Sequence, residues 1–144
     1  VLETNVDDLD PRLWPVVLQR LLDAGASDAW LTPILMKKGR PAHTLSVLVR
    51  RKHADAVIDA IYGETSAIGL RELTVGKRAL ARETTEVEVD GHRIRVKVSR
   101  HQGRPVNVQP EYDDVAAAAA ALDRPVKAVL ADAVAAAAAL WRGP

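Results

Sequence analysis

Three cationic side chains lie within four consecutive positions, in the segment Lys37-Lys38-Gly39-Arg40-Pro41. Two ammonium groups and a guanidinium on a short loop suit a polyphosphate, because each can donate charge-assisted hydrogen bonds to phosphate oxygens. Gly39 lets the backbone approach a ligand closely, and Pro41 stiffens the exit from the loop. By composition alone, solvated surface cations are the more common case. The segment is therefore a candidate phosphate site that needs support from elsewhere in the chain.

Carboxylates cluster near the start of the chain, at Glu3, Asp7, Asp8 and Asp10. Such oxygen ligands hold Mg²⁺ or Mn²⁺, usually through one or two carboxylates together with phosphate oxygens. In an extended strand Asp7 and Asp8 face opposite ways, so at most one of them points into a given site. The alternative is that Asp10 caps the first helix and the others are solvated. Both interpretations remain open from these residues alone.

A second polar segment joins a predicted helix to a predicted strand at residues 64–71. It offers an acid, two hydroxyls and a cation, at Glu64, Thr65, Ser66 and Arg71. The alternative is a plain connection in which Thr65 or Ser66 is a turn residue.

A second acidic group, Glu111 with Asp113 and Asp114, precedes a predicted helix. Negative charge there suits the helix dipole, and that structural explanation is the stronger one. The four histidines show no metal-ligand spacing. The chain lacks the glycine-rich Walker, dinucleotide-binding and nucleophile-elbow motifs.

Hydrophobic periodicity predicts six elements that position these groups in residues 1–80. Their order is strand, helix, strand, strand, helix, strand. This is the ferredoxin-like split β-α-β-β-α-β pattern of an α+β fold, with two helices on one face of an antiparallel sheet. The predicted segments are a strand at Val1–Leu9, a helix from Leu13 to Gly25, a buried strand at Asp28–Met36, the basic loop Lys37–Ala42, a strand at Thr44–Arg51, a helix from Ala54 that Gly63 ends, and a strand at Ala67–Leu80.

Residues 81–144 are predicted to add a β-hairpin and a C-terminal pair of helices, forming one compact unit with the first part. The hairpin turns at Asp90-Gly91, so that Val87 opposes Ile94, Glu88 opposes Arg93 and Glu86 opposes Arg95. One face is then apolar and the other pairs opposite charges, which disfavours a nucleic-acid surface.

The two alanine-rich helices are predicted at Tyr112–Leu122 and Pro125–Trp141, with Asp123 as the cap of the second. Close packing of these helices is expected rather than disorder.

The composition of the chain argues against a nucleic-acid-binding protein and against a membrane-spanning one. The 144 residues carry 20 basic and 19 acidic side chains, so no overall charge attracts nucleic acid or membranes. Aromatic residues make up 3%, too few for an RNA-binding surface that stacks bases. Cysteine is absent, and no apolar run is long enough to cross a bilayer. We expect a cytoplasmic protein, and because the chain opens without Met we expect that another segment precedes it in a longer protein.

Several segments of the chain resemble one known family. Glu3-Thr4-Asn5-Val6-Asp7-Asp8-Leu9 is similar to that family's E-T-N-I-D-D-M, and Pro110-Glu111-Tyr112-Asp113-Asp114 to its P-E-Y-E-D. Thr32–Pro41 resembles its T-P-I-x-M-K-K-x-R-P, and Glu64–Arg71 its E-T-T-T-I-G-x-R. The family is LarC, the nickel-insertion proteins of nickel-pincer nucleotide (lactate racemase cofactor) biosynthesis, and the likeness is to the C-terminal domain.

The resemblance implies a lyase-type, CTP-dependent cyclometallase. Such an enzyme installs Ni²⁺ in pyridinium-3,5-bisthiocarboxylic acid mononucleotide, while CTP with Mg²⁺ or Mn²⁺ becomes CMP and pyrophosphate. The C-terminal domain is the CTP-binding part, works with an N-terminal domain and assembles as trimers or hexamers. This isolated part is expected to bind CTP without necessarily completing nickel insertion. The alternative is a non-catalytic regulatory or assembly domain that binds a small anion.

Carried over by motif, the resemblance makes Lys37, Lys38 and Arg40 contacts to the triphosphate, with Arg71 as a second candidate for nucleotide binding. It makes Asp7 or Asp8 the candidate for the accompanying ion. The further candidates within matching motifs are Glu3, Asn5, Glu64, Thr65 and Glu111. Ala67 replaces a threonine of the family pattern, which removes one hydroxyl.

Overall fold

The computed structural model describes residues 1–142. The chain divides into two compact units, of which the first is Val1–Gly76 and the second begins at Lys77. Within residues 1–142, every helix is too short or too polar to cross a lipid bilayer.

The first unit has the predicted β-α-β-β-α-β order. Its sheet runs β2-β3-β1-β4, and every neighbouring pair is antiparallel. This strand order confirms the ferredoxin-like prediction. The elements are β1 (Leu2–Val6), α1 (Trp14–Asp23), β2 (Ala26–Met36), β3 (Arg40–Val49), α2 (Ala54–Glu64) and β4 (Arg71–Glu72).

The core of this unit lies between the sheet and its two helices. Alternate residues of β1 and β3 enter it, because successive strand residues face opposite sides. Leu45 and Val47 of β3 are fully buried against Leu21 of α1 and Ile61 of α2. Burying one such aliphatic side chain contributes about 1.5–3 kcal/mol. These contacts fix which face of β1 is left for polar groups.

The start of α1 agrees with the predicted position near Leu13. A short 3-10 turn at Pro11–Leu13 leads into the helix, and Pro15 falls in its first turn, where a missing N–H costs little. Asp10 caps that turn by accepting a hydrogen bond from the Arg12 backbone N–H at 3.0 Å. Asp10 is therefore a capping residue.

Three predictions in this unit, one on burial and two on element ends, are wrong. The strand β2 is not buried: it lies at the sheet edge, where Leu35 is 73% exposed. The strand predicted at Ala67–Leu80 is reduced to β4, because only two of its residues pair with β1. Gly63 does not end α2, which runs on to Glu64. The burial of β2 and the length of β4 depend on pairing with distant segments, which local periodicity does not report.

The loop predicted at Lys37–Ala42 is shorter than expected. Met36 pairs with Arg40, so β2 and β3 form a hairpin with only three residues in the turn. Lys38 and Gly39 have φ of 63° and 69°. The tight reversal requires this left-handed backbone, which glycine adopts freely and lysine adopts at a cost. Arg40 and Pro41 therefore belong to β3.

The second unit is a three-stranded antiparallel sheet, β5-β6-β7, with two helices packed on it. The predicted register is confirmed, since Val87 opposes Ile94, and both turn residues have positive φ as this two-residue turn requires. The strand β7 was not predicted, although Gln102-Gly103 makes a second turn of the same kind. The elements are β5 (Ala81–Val89), β6 (His92–His101), β7 (Arg104–Pro110), α3 (Tyr112–Ala121), α4 (Val126–Ala136) and a final 3-10 segment Ala137–Arg142.

Glu86 lies opposite Arg95 in the hairpin as predicted, but the Arg95 side chain contacts Asp114. The Asp114 carboxylate accepts from Arg95 Nε at 2.8 Å, from Arg95 Nη2 at 2.7 Å and from the Arg95 backbone N–H at 2.9 Å. These hydrogen bonds lower the pKa of Asp114 to about 2. Glu86 is instead 3.8 Å from Arg93. Asp114 thus ties the first turn of α3 to β6 at a point beyond the end of β7.

Asp123 is not the cap of α4. It has a left-handed backbone, with φ of 50°, just after α3. The backbone N–H of Arg124 donates to the Ala119 carbonyl at 3.0 Å, which is the hydrogen bond of a Schellman helix end. Asp123 therefore terminates α3, and Pro125 precedes the first turn of α4.

Candidate functional site

The predicted site residues of the first strand lie on one face of the first unit's sheet. Leu2 and Val6 enter the core, so the alternate residues Glu3 and Asn5, together with Asp7 beyond the strand end, follow the opposite face. We call this the outer face, meaning the sheet face away from α1 and α2. It also carries Arg40, Thr44 and Ser46 of β3 and Arg71 of β4, which pair with these positions or bond to them.

Arg40 and Asp7 meet at one end of the outer face. Arg40 Nη1 donates to Asp7 Oδ2 at 3.0 Å. The Arg40 side chain is 60% exposed and that of Asp7 is 22% exposed, so solvent reaches the cation more readily. The pair sits beside the hairpin turn, because Arg40 is the first residue of β3. A ligand with phosphates and a bound cation could replace both partners of this ion pair.

Lys37 and Lys38 form the turn itself, and both side chains are exposed. The short turn places the backbone of Lys37 and Lys38 directly before Arg40, at the same end of the hairpin. The structure thus brings the three predicted basic residues together. Like charges so placed favour a polyanion that neutralises them.

Further along the outer face, a hydrogen-bond network crosses three strands. Asn5 Oδ1 accepts from Thr44 Oγ1 at 2.9 Å and from Arg71 Nη2 at 3.0 Å. Glu3 Oε1 accepts from Ser46 Oγ at 3.0 Å, and Glu3 Oε2 is 3.7 Å from Arg71 Nη2. Arg71 therefore holds both Asn5 and Glu3, rather than standing beside the basic turn.

Other predicted candidates lie apart from this surface. Thr65 Oγ1 donates to the Ile61 carbonyl at 2.7 Å and accepts from the Ala67 backbone N–H at 3.2 Å, so Thr65 closes the end of α2. Glu64 is 3.9 Å from Arg20 of α1. These contacts lie within the fold, in agreement with the alternative interpretation that residues 64–71 are a plain connection with Thr65 as a turn residue.

Asp8 and Glu111 also have partners of their own. Asp8 accepts a hydrogen bond from Ser66, whereas Asp7 accepts from Arg40, so the two neighbouring carboxylates have different partners. Glu111 belongs to the second unit, where its carboxylate is 2.5 Å from Lys97 Nζ. Of the two carboxylates proposed for an ion, Asp7 is the one beside the basic turn.

Two hydroxyl residues of the network were not singled out from the sequence. Thr44 and Ser46 alternate with Leu45 and Val47 in β3, so the pattern did place them on the polar face of a strand. Their partners on β1 are about 40 residues away in sequence, at separations of 39 and 43. Only the pairing of β1 with β3 identifies them as parts of one network.

The described residues 1–142 contain no group of three or more His, Cys, Asp or Glu side chains able to hold a metal ion. A resident, fully protein-bound cation therefore does not fit. An ion that arrives with a triphosphate does fit, since Mg²⁺ commonly uses one or two carboxylates plus phosphate oxygens. Asp7 can supply one such carboxylate.

Sequence comparison identifies relatives of the whole chain. The model of a family described as nickel insertion protein matches residues 1–130. A pyridinium-3,5-bisthiocarboxylic acid mononucleotide nickel insertion protein of a Nocardioides species is 67% identical over 94% of the chain and 34% of its own length. A protein of the same description from Clostridium kluyveri is 43% identical over 83% of the chain and 30% of its own length. The chain thus spans about a third of the curated relatives it matches.

Structural comparison agrees with the sequence. One similar solved structure is described as the C-terminal domain of a cyclometallase involved in the synthesis of the NPN cofactor of lactate racemase, in apo form. It has a TM-score of 0.86 and 35% identity, and the match covers 94% of this chain and 93% of that one. A protein of Methanopyrus kandleri has a TM-score of 0.65 at 25% identity, covering 97% of this chain and 86% of the other.

Proposed function

The chain belongs to the nickel insertion protein family, and we propose that it supplies the CTP-binding part of an enzyme that installs nickel in pyridinium-3,5-bisthiocarboxylic acid mononucleotide. The whole enzyme would be a lyase-type cyclometallase that converts CTP to CMP and pyrophosphate. Support comes from relatives named for this substrate and from the likeness to a cyclometallase C-terminal domain. An N-terminal part of the protein and a trimeric or hexameric assembly belong to the same proposal.

The observation that carries the proposal is the Arg40–Asp7 ion pair beside the exposed Lys37-Lys38 turn. Three cations suit a triphosphate, and the carboxylate suits the divalent ion that accompanies it. Binding would exchange one ion pair for two better ones, with Arg40 on a phosphate and Asp7 on the ion. Arg71 would be a further nucleotide contact, from the β4 side of the outer face.

These residues can contribute to the reaction by stabilising charge. Cleavage of CTP to CMP places negative charge on the departing pyrophosphate, and fixed cations lower the free energy of that charge. Nickel is the cargo of the reaction. Since residues 1–142 offer no cluster of three ligands for it, we assign nickel handling to the substrate and to the rest of the longer protein.

Thermal unfolding with CTP, ATP, GTP and UTP, each with Mn²⁺, tests the proposal. A ligand that binds only the folded state stabilises it by about 2.7 kcal/mol at a hundred times its Kd. We therefore expect CTP to raise the Tm by about 5 °C or more and the other three to raise it less. A Tm that is unchanged by all four nucleotides would remove CTP binding from the account of this chain.

A further inference from the structure

The loop that joins α2 to β4, residues 65–70, is irregular but is held in place by hydrogen bonds. Ser66 donates to the Asp8 carboxylate, just past the end of β1. The buried Thr4 of β1 donates through Oγ1 to the Gly69 carbonyl at 2.8 Å. These bonds fix the loop beside the C-terminal half of β1, at the β4 edge of the sheet.

Ile68 projects from this loop into solvent. It is fully exposed, whereas Ala67 and Leu70 on either side pack against the core. Isolated exposed apolar residues are common on protein surfaces, but Ile68 is carried by a backbone that is already fixed. A β-branched side chain on such a backbone loses little conformational freedom when another surface covers it. Ile68 is therefore well suited to an apolar contact between molecules.

The opposite edge of the same sheet carries a second exposed apolar side chain. The edge strand there is β2, and Leu35 near its end is exposed. Val6 near the end of β1 and Pro33 of β2 both pair with His43 of β3, so β1 and β2 end at the same end of the sheet. Ile68 and Leu35 therefore lie at one end of the sheet and on opposite edges.

The charges beside these two side chains are complementary. Asp8 is exposed next to the Ile68 loop, through its hydrogen bond with Ser66. Lys37 is exposed two residues after Leu35. Contact between the two different edges would bring a carboxylate toward an ammonium group, whereas contact between two β2 edges would bring ammonium groups together. Electrostatics therefore favour the pairing of unlike edges.

We propose that a second copy of this chain places its Ile68 against Leu35, an inference that rests on the assembly included in the proposed function. Each copy carries both halves of the contact, so it can use each half once with a different neighbour. Such head-to-tail contacts form a ring when the rotation between copies closes. The basic turn Lys37–Gly39 begins two residues after Leu35, so it would border the neighbouring copy.

Cysteine cross-linking tests this contact, because the chain has no cysteine of its own. Under mild oxidation, Leu35→Cys with Ile68→Cys should give disulfide-linked series of copies, since the two Cα atoms would lie within about 7 Å. Each single variant should stay unlinked, because a head-to-tail contact never brings two copies of one position together. Val16→Cys with Ile68→Cys is the matched control and should stay unlinked, since Val16 is equally an exposed apolar residue but lies on α1.

Sedimentation of variants provides a second measurement. Ile68→Lys should raise the dissociation constant of the assembly at least about tenfold, because an ammonium group would face Leu35 and Lys37. Val16→Lys should leave that constant unchanged, and the Tm of each variant reports its fold.

Three results would overturn the proposed contact. Linkage in a single variant would mean that identical edges meet, and an assembled double variant that does not link would place the interface elsewhere. In both cases the assembly and the CTP binding stand. A wild type that remains monomeric removes the assembly together with the contact, while CTP titration still tests nucleotide binding separately.

Discussion

Replacing Lys37 and Lys38 together is expected to weaken CTP binding about 100-fold. Each ammonium group would lose a charge-assisted contact to a phosphate, and contacts of that kind contribute about 1.5–3 kcal/mol. Lys38 has a left-handed backbone, which alanine tolerates poorly, so Lys37→Gln with Lys38→Asn removes the charges with less strain. Calorimetric titration of CTP with Mn²⁺ gives the affinity, and the Tm without ligand reports the fold.

The matched control for this change lies past the other end of β3. Arg51 and Lys52 are also adjacent exposed cations, and they are about 30 Å from the turn along the strand direction. Arg51→Gln with Lys52→Asn therefore changes the net charge equally and should leave CTP affinity nearly unaltered. If the affinity of the Lys37 and Lys38 variant stays within about threefold of wild type, under ~1 kcal/mol, the turn does not bind the triphosphate.

Asp7→Asn is expected to abolish most of the gain in CTP affinity that Mn²⁺ gives to wild type. The carboxylate would no longer contact the ion, and we expect the ratio of affinities with and without Mn²⁺ to fall at least about tenfold. Without a divalent ion, the effect of Asp7→Asn on CTP affinity is expected to have the opposite sign. Asp7 then competes with the triphosphate for Arg40, so the variant should bind metal-free CTP at least as tightly as wild type does.

Asp8→Asn separates the two neighbouring carboxylates. Asp8 accepts from Ser66 and has no contact with Arg40, so this variant should keep the Mn²⁺ dependence of wild type. Titrations of both variants with CTP, in Mn²⁺ and in chelator, compare them directly. If the Mn²⁺ effect survives in Asp7→Asn and disappears in Asp8→Asn, the ion binds Asp8 and our assignment to Asp7 is wrong.

Part of this site could be predicted because it depends on local rules. The alternation of β1 places Glu3 and Asn5 on one face, and Asp90-Gly91 fixes a hairpin register through its turn type. The basic turn was also recognisable, although its length was overestimated. In these segments the residues that decide the structure are at most a few positions apart.

The remaining features depend on distant pairing. Arg71 reaches Asn5 across a separation of 66 residues, and no local pattern could place a two-residue strand beside β1. The apolar run of β2 predicted a buried strand, yet its position at the sheet edge follows from β1 occupying the other side of β3. The Arg95 side chain likewise bonds to Asp114 and not to Glu86, the residue opposite it in β5, because the first turn of α3 lies beside β6.

The most direct test of the central claim is a crystal structure of this chain with CTP and Mn²⁺. We expect phosphate oxygens within hydrogen-bonding distance of Lys37, Lys38 and Arg40, and the Mn²⁺ ion between a phosphate and Asp7. Arg40 should have left its contact with Asp7. Nucleotide density away from the Lys37–Gly39 turn, with the Arg40–Asp7 pair intact, would contradict it.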